Sequence, residues 1–244
     1  MKCKVISLKR TPERLQKFHD INSHTNFEWC EAVDGTTLDI EPYIEKGWFK
    51  PEMKKFYTKG VFALAVTEIQ LWHECVVGNE YYTISCDDVY LNKNFQHVIN
   101  DLDNQPDFWD LIMWGANPDQ PVEYIMYQGM GKARLQIDHE TFASNIDKFV
   151  SLDIRPTLNR CLFGSGTICY TINPRSAKWM IENVLPVRQY HGTWGNYGLD
   201  HSILYEMERM NTFISIPFLA ATKNDGAESL TVPADVPKED QYFL

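Results

Sequence analysis

The stretch Tyr81-Tyr82-Thr83-Ile84-Ser85-Cys86-Asp87-Asp88-Val89-Tyr90 decides the fold of this chain. Its β-branched and aromatic residues favour a strand, and they run directly into two adjacent carboxylates. The stretch therefore predicts a β-strand that ends in an acidic loop. In an open α/β sheet, ligands bind in the crevice beyond the carboxyl ends of the strands, so Asp87 and Asp88 lie at a candidate site.

Asp87 and Asp88 have the chemistry of a divalent-cation site. Mg²⁺ and Mn²⁺ accept one or two hard carboxylate ligands and take their remaining ligands from phosphate and water. The pair therefore suits a metal ion that holds a diphosphate. The alternative interpretation is a solvated surface turn, because aspartates are common at the ends of strands.

The composition is that of an ordinary globular protein. The 244 residues are 44% hydrophobic and 23% charged, which is enough to bury one substantial core. The net charge of -10, without a cluster of Lys and Arg, argues against nucleic acid or an anionic membrane as a partner. The six cysteines form no CxxC pair, and no run approaches the ~18 apolar residues of a membrane span. We expect a cytoplasmic protein with reduced thiols and no transmembrane segment.

The first predicted strand, from Cys3 to Leu8, leads into a helix. Thr11 predicts the cap of that helix and Pro12 its first position. Arg10 and Arg14 then fall near the carboxyl end of the strand, where a nucleotide would be held. Their alternative is simple solvation, which is common for arginines in a first helical turn.

A second predicted strand, over residues 26–33, ends at Asp34 and Gly35. Asp-Gly is a strong turn signal, so a second junction between strand and loop carries an acid. We expect Asp34 and Gly35, like Arg10, to help hold a nucleotide.

From Gly60 the pattern becomes helical and places one acid on an apolar face. Around Glu68 the helix clusters Val61, Leu64, Leu71, Trp72 and Cys75, whereas Thr67, Gln70 and Glu74 take the opposite, polar side. Burying an unpaired carboxylate is costly. Glu68 must therefore either reach a structural partner or line a polar cavity, and both alternatives stay open.

The later part of the chain continues the alternation of strands and helices. It contains a strand over residues 110–115, a meander or flap over 116–159, a helix that Asn173 and Pro174 begin, and a strand over 212–216. The loop 191–201 is rich in glycine and aromatic residues, so Trp194 is a candidate for stacking on a sugar ring. Asp200 ends that loop and is either a general base or a helix cap.

Five stretches occur in an order that is typical of one enzyme family. They are Val5-Ile6-Ser7-Leu8-Lys9-Arg10-Thr11-Pro12-Glu13-Arg14, Ala32-Val33-Asp34-Gly35, Gly60 to Trp72, Cys86-Asp87-Asp88, and Gly166 to Ala177 with Leu199-Asp200-His201. On these stretches the chain resembles glycosyltransferase family 25, which includes bacterial lipooligosaccharide galactosyltransferases, procollagen galactosyltransferases and relatives in giant viruses. The order of the five carries the resemblance, rather than any one motif.

The resemblance implies a GT-A type nucleotide-diphosphosugar transferase fold, α/β with a mixed sheet flanked by helices. It implies one glycosyltransferase domain over residues 1–244. In that domain residues 1–115 would form the nucleotide-sugar half, 116–222 the acceptor half, and 223–244 a tail that is either mobile or folded over a bound ligand. It further implies a UDP-sugar donor, Mn²⁺ or Mg²⁺ bridged to the diphosphate by the acidic loop, and inversion at the anomeric carbon. A homodimer is one open alternative for the oligomeric state.

The chain departs from the family pattern at two places. Cys86 stands where the family has Glu, and a thiol is a poor ligand for a hard cation, so the metal falls to Asp88 with Asp87 assisting. In the preceding helix, Ala63-Leu64 and Thr67-Glu68 replace the usual Gly-Cys and Ser-His. The second departure affects the choice of donor.

The resulting hypothesis is the transfer of galactose or glucose to a hydroxyl of a glycan, lipid-linked or protein acceptor. Asp200, with Glu68 as a second acid, would deprotonate that hydroxyl, while the metal on Asp88 stabilises the departing UDP. Two alternatives remain at this point. One is a non-catalytic sugar or nucleotide binder on the same fold, and the other is a nucleotidyltransferase or phosphohydrolase.

Overall fold

The chain forms an α/β fold around one large mixed sheet. The computed structural model describes residues 1–102, 108–188, 198–232, 235, 237–241 and 243. The strands are β1 Lys2–Ser7, β2 Glu28–Glu31, β3 Tyr82–Cys86, β4 Tyr90–Leu91, β5 Leu111–Met113, β6 Val122–Tyr127, β7 Gly131–Leu135, β8 Thr157–Phe163, β9 Cys169–Ile172, β10 Thr212–Ile216 and β11 Ala220–Ala221.

Helices cover both faces of this sheet. The α-helices are α1 Pro12–Ile21, α2 Glu41–Glu45, α3 Lys59–Gly78, α4 Phe95–Leu102, α5 His139–Ser144, α6 Ile146–Phe149, α7 Pro174–Asn183, α8 Leu199–Leu204 and α9 Lys238–Gln241. Short 3₁₀ helices span Pro51–Lys55 and Gly226–Glu228. The predicted α/β fold with a mixed sheet between helices is confirmed.

The large sheet has the strand order β2-β1-β3-β9-β5-β10-β8-β6-β7. β1 runs parallel to both β2 and β3, and β5 runs parallel to β10. β9 lies antiparallel between β3 and β5, so a strand from the later part of the chain separates two strands from the earlier part. Because β2, β1 and β3 are parallel neighbours, their carboxyl ends meet at one edge. A separate small sheet pairs β4 with β11.

Two hydrophobic cores lie on opposite faces of the sheet. Along β1, Val5 belongs to one core and Ile6 to the other, as expected from the alternation of side chains in a strand. One core packs α3 and α7 against the sheet and contains the fully buried Trp72, while the other contains Trp109 and Trp114. Fully buried phenylalanines such as Phe62 in the first core and Phe95 in the second contribute about 1.5–3 kcal/mol each by leaving water.

The central helix α3 is buried on more sides than its sequence pattern predicts. The helical pattern of the sequence placed Thr67 on the polar side of α3, but Thr67 is buried. That expectation was wrong because the hydroxyl of Thr67 finds partners: it donates to the carbonyl oxygen of Ala63 at 2.9 Å and accepts from the amide of Val33 at 3.0 Å. By length and composition α3 could also span a membrane, but most of it is buried inside the protein, as is common for core helices.

The local signals for helix starts are met to different degrees. Asn173 caps α7 with a full capping box that includes Ser176, as predicted. Thr11 precedes α1 but makes no side-chain cap, because its hydroxyl donates to the carbonyl of Leu8 instead. The meander expected over 116–159 contains the β6–β7 hairpin and also two short helices, α5 and α6, that the pattern did not indicate.

Candidate functional site

A cavity of about 1250 Å³ lies beyond the carboxyl ends of β1 and β3. It is the place that the sheet topology predicts for a ligand, because parallel strands end there. Most of the predicted site residues line it, although they come from widely separated parts of the chain. These are Arg10, Arg14, Gly35, Glu68, Asp87, Asp88 and Asp200.

Asp87 is held by two partners on the first strand and helix. Arg14 donates through Nη2 to its Oδ1 at 2.6 Å and through Nε to both of its oxygens, at 3.0 and 3.1 Å. Ser7 donates to its Oδ2 at 2.7 Å. Such bidentate pairing with a guanidinium fixes the plane of the carboxylate. Desolvation acts to lower the pKa of Arg14, but its bonds to Asp87 raise the pKa above its ordinary value, so the guanidinium stays charged.

Asp88 turns toward the cavity and has a different environment. Asp88 is exposed on the side that faces the cavity, and protein surrounds its carboxyl group on the other sides. The hydroxyl of Thr222 donates to its Oδ2 at 3.2 Å. This partial desolvation, and then the negative charge of Asp87, raise the pKa of Asp88, while Arg14 opposes the rise. The contact with cavity solvent makes the effect of burial smaller than in a sealed core. A cation in the cavity would therefore stabilise the charged form of Asp88.

Arg10 and Asp34 form a second charged pair at the same edge. Arg10 donates through Nε to Asp34 Oδ2 at 2.8 Å, and the amide and hydroxyl of Thr36 both donate to Asp34 Oδ1. Burial acts to raise the pKa of Asp34, but the bonds from Thr36 and the charge of Arg10 hold it below its ordinary value. Asp34 orders the loop after β2 and presents Arg10, rather than its own carboxylate, to the cavity.

Gly35 is required by close packing in that loop. A Cβ at this position would lie 2.6 Å from the carbonyl oxygen of Lys59, at the start of α3. No side chain fits in that space. The loop after β2 and the first turn of α3 therefore pack backbone against backbone at the wall of the cavity.

Glu68 lies at the buried end of the cavity, where Thr167 and Tyr170 hydrogen-bond to its carboxyl group. Burial and then the charge of Asp200 raise the pKa of Glu68 to about 8, although the two hydrogen bonds oppose the rise. Trp72 donates to the hydroxyl of Tyr170 at 3.0 Å and so orients it. Both open alternatives for Glu68 apply, because it lines the cavity and also has partners.

Asp200 stands in the first turn of α8 and is anchored to the turn before β9. Its Oδ2 accepts from the amide of Gly166 at 2.9 Å and from the hydroxyl of Ser165 at 3.2 Å. Gly166 has φ +94, and a Cβ there would collide with the side chain of Asn117. A glycine is therefore required in this turn, and the turn holds the carboxylate of Asp200.

Cys86 ends β3 with its side chain half-buried. Burial raises the pKa of its thiol far above the ordinary value, and the charge of Asp88 acts in the same direction. A neutral thiol is a weak ligand. Within the described residues, no group of three or more His, Cys, Asp or Glu side chains is arranged to hold a metal.

The site contains residues that the sequence did not indicate. Ser165, Thr167, Tyr170 and Thr222 carry no charge, and each contacts a predicted acid only because distant segments come together. For Thr222 the sequence offers one signal, a polar residue directly after a short apolar strand. This pattern is too common in proteins to identify a site residue. Trp194, predicted to stack on a sugar, lies outside the described residues.

Comparison with known proteins settles the family. The model of glycosyltransferase family 25 (LPS biosynthesis protein) matches residues 1–192, which is most of the chain. This chain belongs to glycosyltransferase family 25. The match includes all the predicted donor and metal residues and Glu68, whereas Asp200 lies beyond its end. As a member of family 25, a family that generally uses nucleotide-sugar donors, the protein is a glycosyltransferase.

Two solved structures resemble this family 25 member. A197 from STIV is 9% identical, with a TM-score of 0.35, and the alignment covers 88% of this chain and 81% of that chain. A glycosyltransferase involved in the glycosylation of the major capsid of PBCV-1 is 13% identical, with a TM-score of 0.38 and the same two coverages. A search of curated proteins finds no match. The family assignment therefore rests on the sequence match.

Proposed function

We propose that this glycosyltransferase is metal-dependent and inverting, and that it moves galactose or glucose from a UDP-sugar to an acceptor hydroxyl. The acceptor would be a glycan, a lipooligosaccharide or a hydroxylysine-type protein. One observation carries the proposal: the arginines, the acidic loop and Asp200 line the same cavity. Its volume of about 1250 Å³ has room for a nucleotide sugar and part of an acceptor.

The metal, Mn²⁺ or Mg²⁺, would be held by Asp88 with Asp87 beside it. When bound, such an ion neutralises charge on a diphosphate leaving group. The residues present fit this ion, because Asp88 offers carboxylate oxygens to the cavity and a diphosphate supplies further ligands. Asp87 contributes mainly by charge, since Arg14 and Ser7 already occupy its oxygens.

Arg10 and Arg14 would bind the UDP part of the donor. Arg14 is a charged, half-buried donor next to the acidic loop, where it can stabilise the negative charge that develops on the diphosphate. Arg10 stays in place through Asp34, and Gly35 keeps the loop close to α3. These residues bind and orient the donor and take no part in proton transfer.

Asp200 would act as the general base. The oxygen of the acceptor hydroxyl attacks the anomeric carbon, its proton passes to Asp200, and the bond from that carbon to UDP breaks. Ser165 and Gly166 fix the orientation of the carboxylate for this transfer. Glu68 keeps its own proton at neutral pH and so supports Asp200 without a second negative charge.

The test is UDP release from UDP-galactose and UDP-glucose, with and without MnCl₂. We expect Mn²⁺-dependent release by the wild type and loss of that release in Asp88→Asn, by about a hundredfold or more. Asp147→Asn, an exposed change in α6, is the matched control and keeps full activity. Unchanged turnover in Asp88→Asn would remove the metal role of this residue.

A second candidate function is a non-catalytic nucleotide-sugar binder. The neutral thiol of Cys86, in place of an acid, supports this alternative because it leaves the metal site with few carboxylates. A binder would take up UDP in calorimetry but would release none from any UDP-sugar. A nucleotidyltransferase or phosphohydrolase would instead consume a nucleoside triphosphate.

We also propose a cytoplasmic location. All six cysteines lie in the described ranges and none forms a disulfide, which supports a reducing compartment. Fractionation of the native host cell tests this location directly.

A further inference from the structure

The segment Thr222–Thr231, here called the C-terminal strap, crosses the donor end of the cavity. It lies outside the part of the chain that matches the family model. Five residues between its two ends line the cavity: Asn224, Asp225, Gly226, Ser229 and Leu230. The strap contacts the walls of the cavity at three points: Asp88, Arg14 and the start of α3.

The first point is Asp88. The small sheet pairs Ala221 of β11 with Tyr90 of β4, and this pairing brings the next residue, Thr222, back to the acidic loop. Thr222 is buried, and its hydroxyl donates to Asp88 Oδ2 at 3.2 Å. The orientation of the Asp88 carboxylate therefore depends on the start of the strap.

The second point is Arg14. Its Nη1 donates to the carbonyl oxygen of Glu228 at 3.0 Å, while Nε and Nη2 bind Asp87. The carboxylate of Glu228 also lies 3.8 Å from the ammonium group of Lys17, one helical turn further along α1. The guanidinium is thus held between the acidic loop and the strap, which leaves little freedom in its position.

The third point is the first turn of α3. The hydroxyl of Thr58 donates to the carbonyl oxygen of Thr231, and the strap backbone rests directly on Gly60. A Cβ on Gly60 would lie 2.5 Å from the carbonyl oxygen of Leu230 and 2.8 Å from the Cα of Thr231. The strap backbone therefore packs directly against the backbone of Gly60, and any side chain at this position would displace the strap.

We propose that the C-terminal strap is part of the donor site. Thr222 and the Glu228 carbonyl are positioning groups that hold Asp88 and Arg14, and the strap encloses the donor diphosphate between α1 and α3. The inference rests on the proposed function, since it assigns a role in binding the same nucleotide sugar. It implies that donor binding depends on residues near the C-terminus.

The first test compares two glycine substitutions in the same helix. Gly60→Ala places a methyl group into the strap backbone, whereas Gly78→Ala, at the other end of α3, meets only the end of the Glu80 side chain at 3.3 Å. Both changes replace glycine by alanine, so the two variants gain the same helix propensity and differ in the contact with the strap. Calorimetry in the presence of MnCl₂ should show that the Kd for UDP rises about tenfold or more in Gly60→Ala. This is the change expected when a charge-assisted hydrogen bond is lost. The Kd for UDP should change little in Gly78→Ala.

The second test uses Thr222 and stays decisive if Gly60→Ala fails to fold. Thr222→Val keeps the shape and removes the hydroxyl, whereas Thr222→Ser restores the donor. We expect weaker Mn²⁺ binding in the presence of UDP for Thr222→Val, measured directly by electron paramagnetic resonance, with rescue by serine and the same melting temperature for both variants. Wild-type affinity in both Gly60→Ala and Thr222→Val would overturn the role of the strap while the proposed function stands. Absence of UDP binding by the wild type would overturn both.

Discussion

Replacing Glu68 by Gln should change how the stability of this protein depends on pH. Glu68 is 2% exposed, and its pKa is about 8 in the folded protein against an ordinary value of 4.5. Between these values the folded protein keeps a proton that the unfolded chain has lost. The free energy of unfolding of the wild type therefore falls as the pH rises through this interval, and it levels off above about pH 8.

The size of the effect follows from the interval between the two pKa values. At ~1.4 kcal/mol per pKa unit, the interval corresponds to about 5 kcal/mol of unfolding free energy. This is a large part of the total stability of an ordinary domain, which is roughly 5–15 kcal/mol. Glutamine has the shape of the protonated acid and can accept the bonds from Thr167 and Tyr170, but it does not ionise.

The assay is urea unfolding of both proteins at a series of pH values from about 5 to about 9. We expect Glu68→Gln to match the wild type at the acidic end and to exceed it by several kcal/mol at the alkaline end. Glu74→Gln, an exposed change in the same helix, should follow the wild type throughout. Parallel curves for the wild type and Glu68→Gln would show that the buried acid is not protonated in the neutral range.

Two further predictions concern catalysis and donor binding. Asp200→Asn keeps the shape of the side chain but removes the base, so kcat should fall by about 10²–10⁴-fold while the affinity for UDP stays unchanged. A kcat near that of the wild type would show that another group accepts the proton of the acceptor hydroxyl. Arg14→Lys keeps the charge but loses the bidentate contact with Asp87, so KM for the donor should rise with little change in melting temperature. Steady-state kinetics over a range of UDP-sugar concentrations measure both, and an unaltered KM in Arg14→Lys would remove this residue from the donor site.

The family match covers one part of the site, and the other part lies beyond its end. The donor edge, from Arg10 to Asp88, lies within the matched residues, whereas Asp200 and the C-terminal strap lie beyond them. Both parts line one cavity, so substitutions after residue 192 are expected to affect the same reaction as those in the matched part.

The local pattern of the sequence was sufficient for the elements that carry the donor edge. Strands β1 and β3, the start of α1 at Pro12, and α7 with its Asn173 cap all follow from signals a few residues long, such as alternation, proline and capping side chains. The placement of Asp87 and Asp88 directly after a buried strand belongs to the same group. Periodicity and capping are properties of neighbouring residues, so they can be read without the fold.

The tertiary structure alone decided which distant groups meet. It inserted β9 between β3 and β5, buried Thr67, joined Asp200 to the Gly166 turn, and brought Thr222 to Asp88 across 134 positions of sequence. The residues next to each of these positions in sequence do not indicate the contact. A threonine or a glycine has the same sequence neighbours whether or not a distant segment packs against it in the fold. The sequence determined the strands and the acids at their ends, whereas long-range strand pairing and packing decided how those acids are held.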